Sequence, residues 1–256
     1  MNQRNATSVK ILFKQPECSH LGDCPICCLP FPLDAENNAL YSCFGKVICE
    51  GCDVANCFHG NLEKLCPFCR QPPALTEEEH RRFILKRTEA NDPVAIYQMG
   101  CYLSTEDSDT KGAFEYWTRA AELGDIDAHC ALSVLYQYGE FVEKDESKQE
   151  HHLETAAIGG HVQARYKLAC LEGNRGRYER AAKHWVIASK LGCDRSLDRL
   201  KDSFKNGFIS KDDFAAALRG HQAATDAMKS PKREAARAVK AATAARLEKI
   251  SSTKST

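Results

Sequence analysis

Between about residues 90 and 205 apolar and polar positions alternate with the period of a helix, and they do so repeatedly. AAELGDIDAHCALSVL (120–135), AAIGGHVQARYKLACL (156–171) and ASKLGCDRSLDRLKDS (188–203) align at offsets of 36 and 32 residues. Each opens on a small residue (Ala120, Ala156, Ala188), with glycine four later (Gly124, Gly160, Gly192). A second small residue (Ala128, Ala164, Ser196) and then leucine (Leu132, Leu168, Leu200) follow at the same step. Trp117, Leu153 and Trp185 stand three residues before each repeat, and Ala95, Met99 and Tyr102 read as an earlier copy. Apolar positions at i, i+4 and i+7 mark one face of a helix, and the glycine suits the left-handed residue that ends one. Each hairpin then has an apolar face that only a neighbour can cover, so the pattern predicts an all-α helical-hairpin solenoid.

The flanks carry their own signals. QPPA at 71–74 reads as an extended linker, because proline disfavours the helical region for the residue before it. Thr76 and Glu79 have capping-box spacing, and Asp92-Pro93 places an N-cap before a proline at the first helical position. KNGFISKDDFAAALRGHQAATDAMKS at 205–230 reads as a glycine turn followed by a helix capped at Ser210. The last stretch, from Lys232, is alanine-rich with seven Lys/Arg against two Glu, and offers little apolar surface. It reads as a solvated helix or a frayed tail. The expected organisation is a disordered N-terminus (1–20), a cysteine-rich module (21–72), a linker helix (73–90), repeats (91–205), a capping helix (206–230) and a basic tail (231–256).

A repeat of 32–36 residues falls in the tetratricopeptide range. The glycine after the small pair, and YGEFVEKDESKQEHHLETAA at 138–157, resemble the Sel-one-like variant of that family, whose hairpins are joined by a Tyr-Gly-x-x-Val-x-x-Asp loop. The resemblance covers roughly residues 90–205 and implies a surface for a protein client.

The 256 residues carry 35 Lys+Arg against 35 Asp+Glu, so whole-chain charge favours no polyanion. No apolar run approaches the ~20 residues of a membrane span, and no secretory signal is evident. The expectation is a soluble intracellular protein, cytoplasmic and/or nuclear, with no membrane partner. Fourteen cysteines stand out, ten of them between Cys18 and Cys69. In a reducing compartment clustered Cys-x-x-Cys pairs point to zinc, whereas a secreted chain would read as disulfide-stapled. Cys101, Cys130, Cys170 and Cys193 are scattered and read as small buried hydrophobes.

Cys24/Cys27, Cys49/Cys52 and Cys66/Cys69 form knuckles, and Cys43 stands alone. Order and spacing resemble a RING domain over about residues 24–70, a small zinc-bound α+β module. The resemblance implies interleaved pairing. Cys24, Cys27, Cys49 and Cys52 complete one zinc site, and Cys43, Cys66 and Cys69 supply three ligands of a second. A typical RING has cysteine and histidine where this chain has Phe44 and Lys46. Three alternatives stand for the fourth ligand: Cys57 or His59, a water or other exogenous group, or an empty site replaced by packing around Phe44 and Phe68. The chain therefore binds two Zn2+ if the second site is completed and one otherwise. Cys28 reads as a bystander; Cys18 and His20 read as loop residues, with an extra ion as the alternative.

Closed four-cysteine sites are structural, with no open position for chemistry. In RING-type ubiquitin ligases an apolar patch and a basic residue dock a charged ubiquitin-conjugating enzyme. The resemblance carries these roles to Ile26, Pro67 and Arg70, with Leu62 or Leu65 a looser match on the helix. Two functions follow: a non-covalent RING-type ligase or adaptor that recruits a client on its repeats, or a non-catalytic scaffold with a degenerate, structural zinc module. Nucleic-acid binding is disfavoured, since the basic tail has no aromatic residue for base stacking. There is no Gly-rich phosphate loop, His-Glu-x-x-His pair or nucleophile elbow. His151-His152 reads as a solvated helix face, and Trp117 and Trp185 as hairpin core.

Overall fold

A computed structural model of the chain describes residues 10–59 and 65–253. In chain order its main elements are β1 (Asn38–Tyr41), β2 (Lys46–Cys49), α1 (Glu50–His59), α2 (Glu77–Glu89), α3 (Pro93–Thr105), α4 (Thr110–Glu122), α5 (Ile126–Tyr138), α6 (Glu146–Ile158), α7 (Val162–Asn174), α8 (Tyr178–Lys190), α9 (Asp194–Lys205), α10 (Lys211–Ala227) and α11 (Pro231–Thr253). They fall into two compact units, Met1–Gly22 with Thr76–Asp226 and Asp23–Leu75 with Ala227–Thr256. Both units are assembled from separated stretches of sequence.

The helical unit follows its local signals closely. Thr76 accepts the N–H of Glu79 at 3.2 Å, and Asp92 accepts those of Val94 and Ala95. These side chains satisfy donors that a helix start leaves without a partner. The repeat glycines end α4, α6 and α8 in the left-handed conformation, with φ of 90°, 86° and 95°. Around Gly160 the N–H of His161 reaches Ala156 O and that of Gly160 reaches Ala157 O, the paired bonds of a Schellman motif. This hairpin turn recurs at each copy because each supplies glycine there. α3 pairs with α4, α5 with α6 and α7 with α8, and neighbouring pairs pack on one another. Ala95, Ala128, Ala164 and Ser196 are fully buried, as are Ala120, Ala156 and Ala188. Small side chains there let helix backbones approach, while Met99, Leu132, Leu168 and Leu200 fill the space between. Gly100 serves the same end: a Cβ on it would meet the Trp117 ring at 2.6 Å.

The structure differs from the sequence expectation at five points. Residues 10–20 do not fit the disordered N-terminus expected for 1–20. Leu12 is buried among Leu153, Ala156, Ala157, Ala164 and Leu168, and its carbonyl accepts from the buried Arg165. The physical reason is complementarity: Leu12 fills an apolar hole, and the fully buried guanidinium needs acceptors that its own helix does not offer. α2 is part of the repeat unit, with Ile84 buried against Ala95 and Met99. The basic tail is α11 as far as Thr253, and it belongs to the cysteine-rich unit. Of the scattered cysteines only Cys193 is buried; Cys101, Cys130 and Cys170 are half-buried. His151 is exposed as expected, whereas His152 is half-buried, stacks on Tyr136 and lies 2.9 Å from His129, nitrogen to nitrogen.

α10 follows the repeats. Ser210 accepts the N–H of Asp213, and Phe214 of α10 stacks on Phe204 of α9.

Candidate metal centre

The cysteine-rich unit contains a two-stranded antiparallel sheet, with Asn38 opposite Cys49 and Tyr41 opposite Lys46. Gly45, with φ of 72°, makes the tight turn between the strands. β2 runs directly into α1, so Cys49 and Cys52 fall on the strand end and the first helical turn.

The other two knuckles share one backbone geometry. In Cys24-Pro-Ile-Cys27-Cys28 the N–H of Cys28 reaches Cys24 O at 2.8 Å. In Cys66-Pro-Phe-Cys69-Arg70 the N–H of Arg70 reaches Cys66 O at 3.0 Å. Cys28 and Arg70 both adopt left-handed φ, 54° and 59°. The chain thereby reverses just after the second thiol and turns both sulfurs inward.

The sulfurs gather in two groups. Those of Cys24, Cys27, Cys49 and Cys52 all lie within 4.8 Å of one another, with Cys27 and Cys49 3.7 Å apart. A Zn–S bond of about 2.3 Å in a tetrahedron implies S···S edges of roughly 3.8 Å. Four thiols at this spacing fit a structural zinc ion. Cys43, Cys66 and Cys69 form the second group, with Cys43 and Cys69 3.6 Å apart. Each group joins segments far apart in sequence, and the two alternate along the chain.

Within the first group, hydrogen bonding favours anionic sulfur at Cys24, whereas burial raises Cys49 and Cys52. Cys49 N–H points at Cys24 Sγ at 3.4 Å. Burial raises the Cys24 thiol, but the N–H groups of Cys49, Cys27 and Ile26 outweigh it and bring it down to about 7. A thiol at this value is ready to ionise as metal binds. The second group is mixed in the same way: burial alone would raise Cys69, but the Gln71 N–H, with the neighbouring thiols, outweighs it and lowers that thiol. Burial, reinforced by the Cys66 and Cys69 thiols, pushes Cys43 up to about 12.

No fourth Cys, His, Asp or Glu among the described residues joins Cys43, Cys66 and Cys69. Cys57 lies on α1, half-buried and outside the group. The His59 side chain and all of Leu62 lie outside the described residues. Phe44 and Phe68 stack at 5.3 Å, the packing expected if aromatic contact substitutes for a ligand. Ile26 is 44% exposed, Pro67 and Leu65 are half-buried, and Arg70 is exposed.

Sequence reasoning missed Arg233 of α11. It is 4% exposed, and its guanidinium donates to Pro30 O and Met228 O at 2.7 Å and to Leu29 O at 3.2 Å. It also faces the thiol group, with Cys27 Sγ at 3.5 Å and Cys49 as a second thiol partner. No local signal marks one arginine in an alanine-rich helix. Its approach depends on Gly51 at the start of α1, which lies directly beneath it.

A third cluster lies in the helical unit. His20 Nε2 and His161 Nε2 converge on Asp127 Oδ1 at 3.0 and 3.3 Å, and the two rings stack at 4.1 Å. His161 Nδ1 accepts the N–H of Ala164. That bond puts the ring proton on Nε2, facing Asp127, where a metal would need a lone pair. The cluster is a hydrogen-bonded clamp. Burial alone would raise Asp127, but the ring donors of His161 and His20 hold it well below the usual carboxylate range. Cys18 is exposed and stands outside the cluster.

The family model of the Sel1 repeat matches residues 93–125 and 126–161. These are the hairpins α3–α4 and α5–α6, and they lie outside the cysteine-rich unit. A Sel1 repeat protein from Oxalobacter formigenes is similar in structure, with 19% identity and a TM-score of 0.49, over 57% of this chain and 63% of that one. A protective antigen present in uropathogenic Escherichia coli strains, displaying an SLR fold, has 19% identity and a TM-score of 0.50, over 58% of this chain and 34% of its own. The chain thus spans less than two thirds of either structure's length. The second likeness shows that the repeat part has the Sel1-repeat fold. No curated protein matches the chain. No helix among the described residues is long and apolar enough to cross a membrane.

Proposed function

We propose that this chain is an adaptor: its Sel1 repeats hold a protein client, and its cysteine-rich unit is a RING-type module that docks a ubiquitin-conjugating enzyme. The carrying observation is the alternating pairing of the thiols, Cys24/Cys27 with Cys49/Cys52 and Cys43 with Cys66/Cys69. Cys24, Cys27, Cys49 and Cys52 would hold a zinc ion, which supplies structural cross-linking and no reactive position. Cys43, Cys66 and Cys69 would hold a second ion more weakly, with a fourth ligand from His59 or solvent.

In this reading the chain does no covalent chemistry. The knuckle turns leave Ile26, Pro67 and Arg70 accessible to a partner. Ile26 and Pro67 would supply the apolar contact. The Arg70 guanidinium, with its planar fork of donors, would bridge the enzyme and its ubiquitin and orient the thioester carbonyl for an amine. A client on the repeats would bring that amine close.

The test is a discharge assay with the full chain and a panel of ubiquitin-charged conjugating enzymes. Accelerated discharge, lost in Arg70→Ala, supports the ligase reading. If no enzyme is discharged faster, the ligase reading fails. Phe44 and Lys46, which cannot complete the second site, favour a second reading: a scaffold whose zinc module is only structural. Client capture by the repeats without any discharge would establish it.

A further inference from the structure

Cys24, Cys49 and Cys52 are buried, whereas Cys27 is half-buried. A proton, an electrophile or a competing chelator therefore meets Cys27 first. Arg233 lies beside that sulfur, reached from 206 residues away in sequence, and its guanidinium also acts on the buried Cys49. Three of its donor contacts go to the carbonyls of Leu29, Pro30 and Met228, which fix the guanidinium plane. Lys240, seven residues on, reaches Glu50 at 3.7 Å and Glu36 at 3.8 Å and holds the same face of α11 down. Ser230 and Pro231 set where the helix starts: Arg233 N–H donates to Ser230 Oγ at 3.3 Å.

We propose that Arg233 is a positioning residue of the first metal site: it partly neutralises the thiolates and guards the accessible ligand Cys27. The inference rests on the reading of that site as a zinc site. Four thiolates around a divalent cation carry a net charge of −2, which a buried site must offset. The N–H groups of Cys49, Cys27 and Ile26 on Cys24 supply part of the offset, and the guanidinium adds a full positive charge beside Cys27. α11 is thus part of the metal module, and a segment ending near residue 72 lacks the site's counter-charge.

The experiment uses the full chain, Arg233→Gln and Arg233→Lys. Metal content of the wild type comes first. Zinc absent from the wild type overturns the zinc reading itself, and the proposal with it. With zinc present, release to a chromogenic chelator and alkylation of each cysteine by iodoacetamide are followed by mass spectrometry. Outer partners of metal ligands commonly contribute 10–100-fold to metal affinity. Arg233→Gln is expected to speed zinc release on that order, with Cys27 becoming the fastest alkylated of the four. Arg233→Lys, which keeps charge but not the fork, is expected to fall between. In cobalt-substituted protein the thiolate-to-metal charge-transfer band should move to lower energy in Arg233→Gln, while the ligand-field bands that report tetrahedral geometry stay in place. Unchanged release and an unmoved band would overturn the proposal. Equal acceleration at all four cysteines with an unmoved band would do so as well, reducing Arg233 to a packing role.

Discussion

Gly51 and Arg233 touch backbone to backbone: a Cβ on Gly51 would stand 2.8 Å from Arg233 N and 2.9 Å from its Cα. No flexible side-chain end is there to yield. Gly51→Ala should therefore push α11 off α1, at about 1–3 kcal/mol by the usual effect of overpacking. Denaturant unfolding of the zinc-loaded full chain would register this as a lower midpoint for the cysteine-rich unit. An unchanged midpoint would mean that the two helices do not meet here in solution.

The two thiol groups should behave unequally toward metal. Cys24→Ser breaks the four-thiol site and is expected to cost the unit its folded state, since structural zinc contributes on the order of 10 kcal/mol in small modules. Cys43→Ser touches only the three-thiol group and should leave one chelator-resistant zinc per chain. Elemental analysis after a chelator wash distinguishes the two. Retention of tight zinc in Cys24→Ser would contradict the assignment.

His184 should make the helical unit acid-sensitive. It is fully buried, neither ring nitrogen has a hydrogen-bond partner, and Phe13 stacks on it. Burial, with help from the Arg165 and Arg180 charges, lowers it to about 3. Its folded pKa lies below its unfolded value of ~6.5, so the unfolded chain binds more protons between the two. Its contribution is therefore complete above about pH 6.5 and is lost as pH falls toward 3. His184→Leu removes both unmatched nitrogens. Its thermal midpoint at pH 4.5 should exceed that of the wild type, with a smaller gain at pH 8. The same gain at both values would refute the titration argument.

Arg165 should tether the N-terminal segment. It donates to the carbonyls of Leu12 and Ala157 from a fully buried position. Arg165→Met leaves both carbonyls without that donor, at about 1–3 kcal/mol. Limited proteolysis should then cut within residues 10–20 much faster than in the wild type, while the repeats stay intact. Equal cutting rates would show that Leu12 is held by its apolar pocket alone.

The repeats were legible because their determinants are local and recur. Gly124, Gly160 and Gly192 announce one turn three times, and Ala128, Ala164 and Ser196 mark the close approach of helices at the same step. The third hairpin, α7–α8, follows this pattern beyond the residues that the Sel1 model matches. The thiol knuckles were legible for the same reason: two ligands three residues apart need only one tight turn. Pairing between knuckles is not local: Cys27 lies beside Cys49, and Cys43 beside Cys69, only once the chain has folded.

What the sequence by itself determined, then, is each element whose cause lies within a few residues: caps, glycine turns, small-residue helix faces and knuckles. Only the tertiary structure decided which distant segments complete each unit. Leu12 enters the repeat core because Arg165 needs a carbonyl and the apolar hole needs a side chain. Arg233 enters the thiol site because Gly51 leaves room for its backbone and the Leu29 and Pro30 carbonyls receive its guanidinium. Neither residue carries a local pattern, because the free energy that places it comes from burial and charge supplied by groups 153 and 203 to 206 residues away.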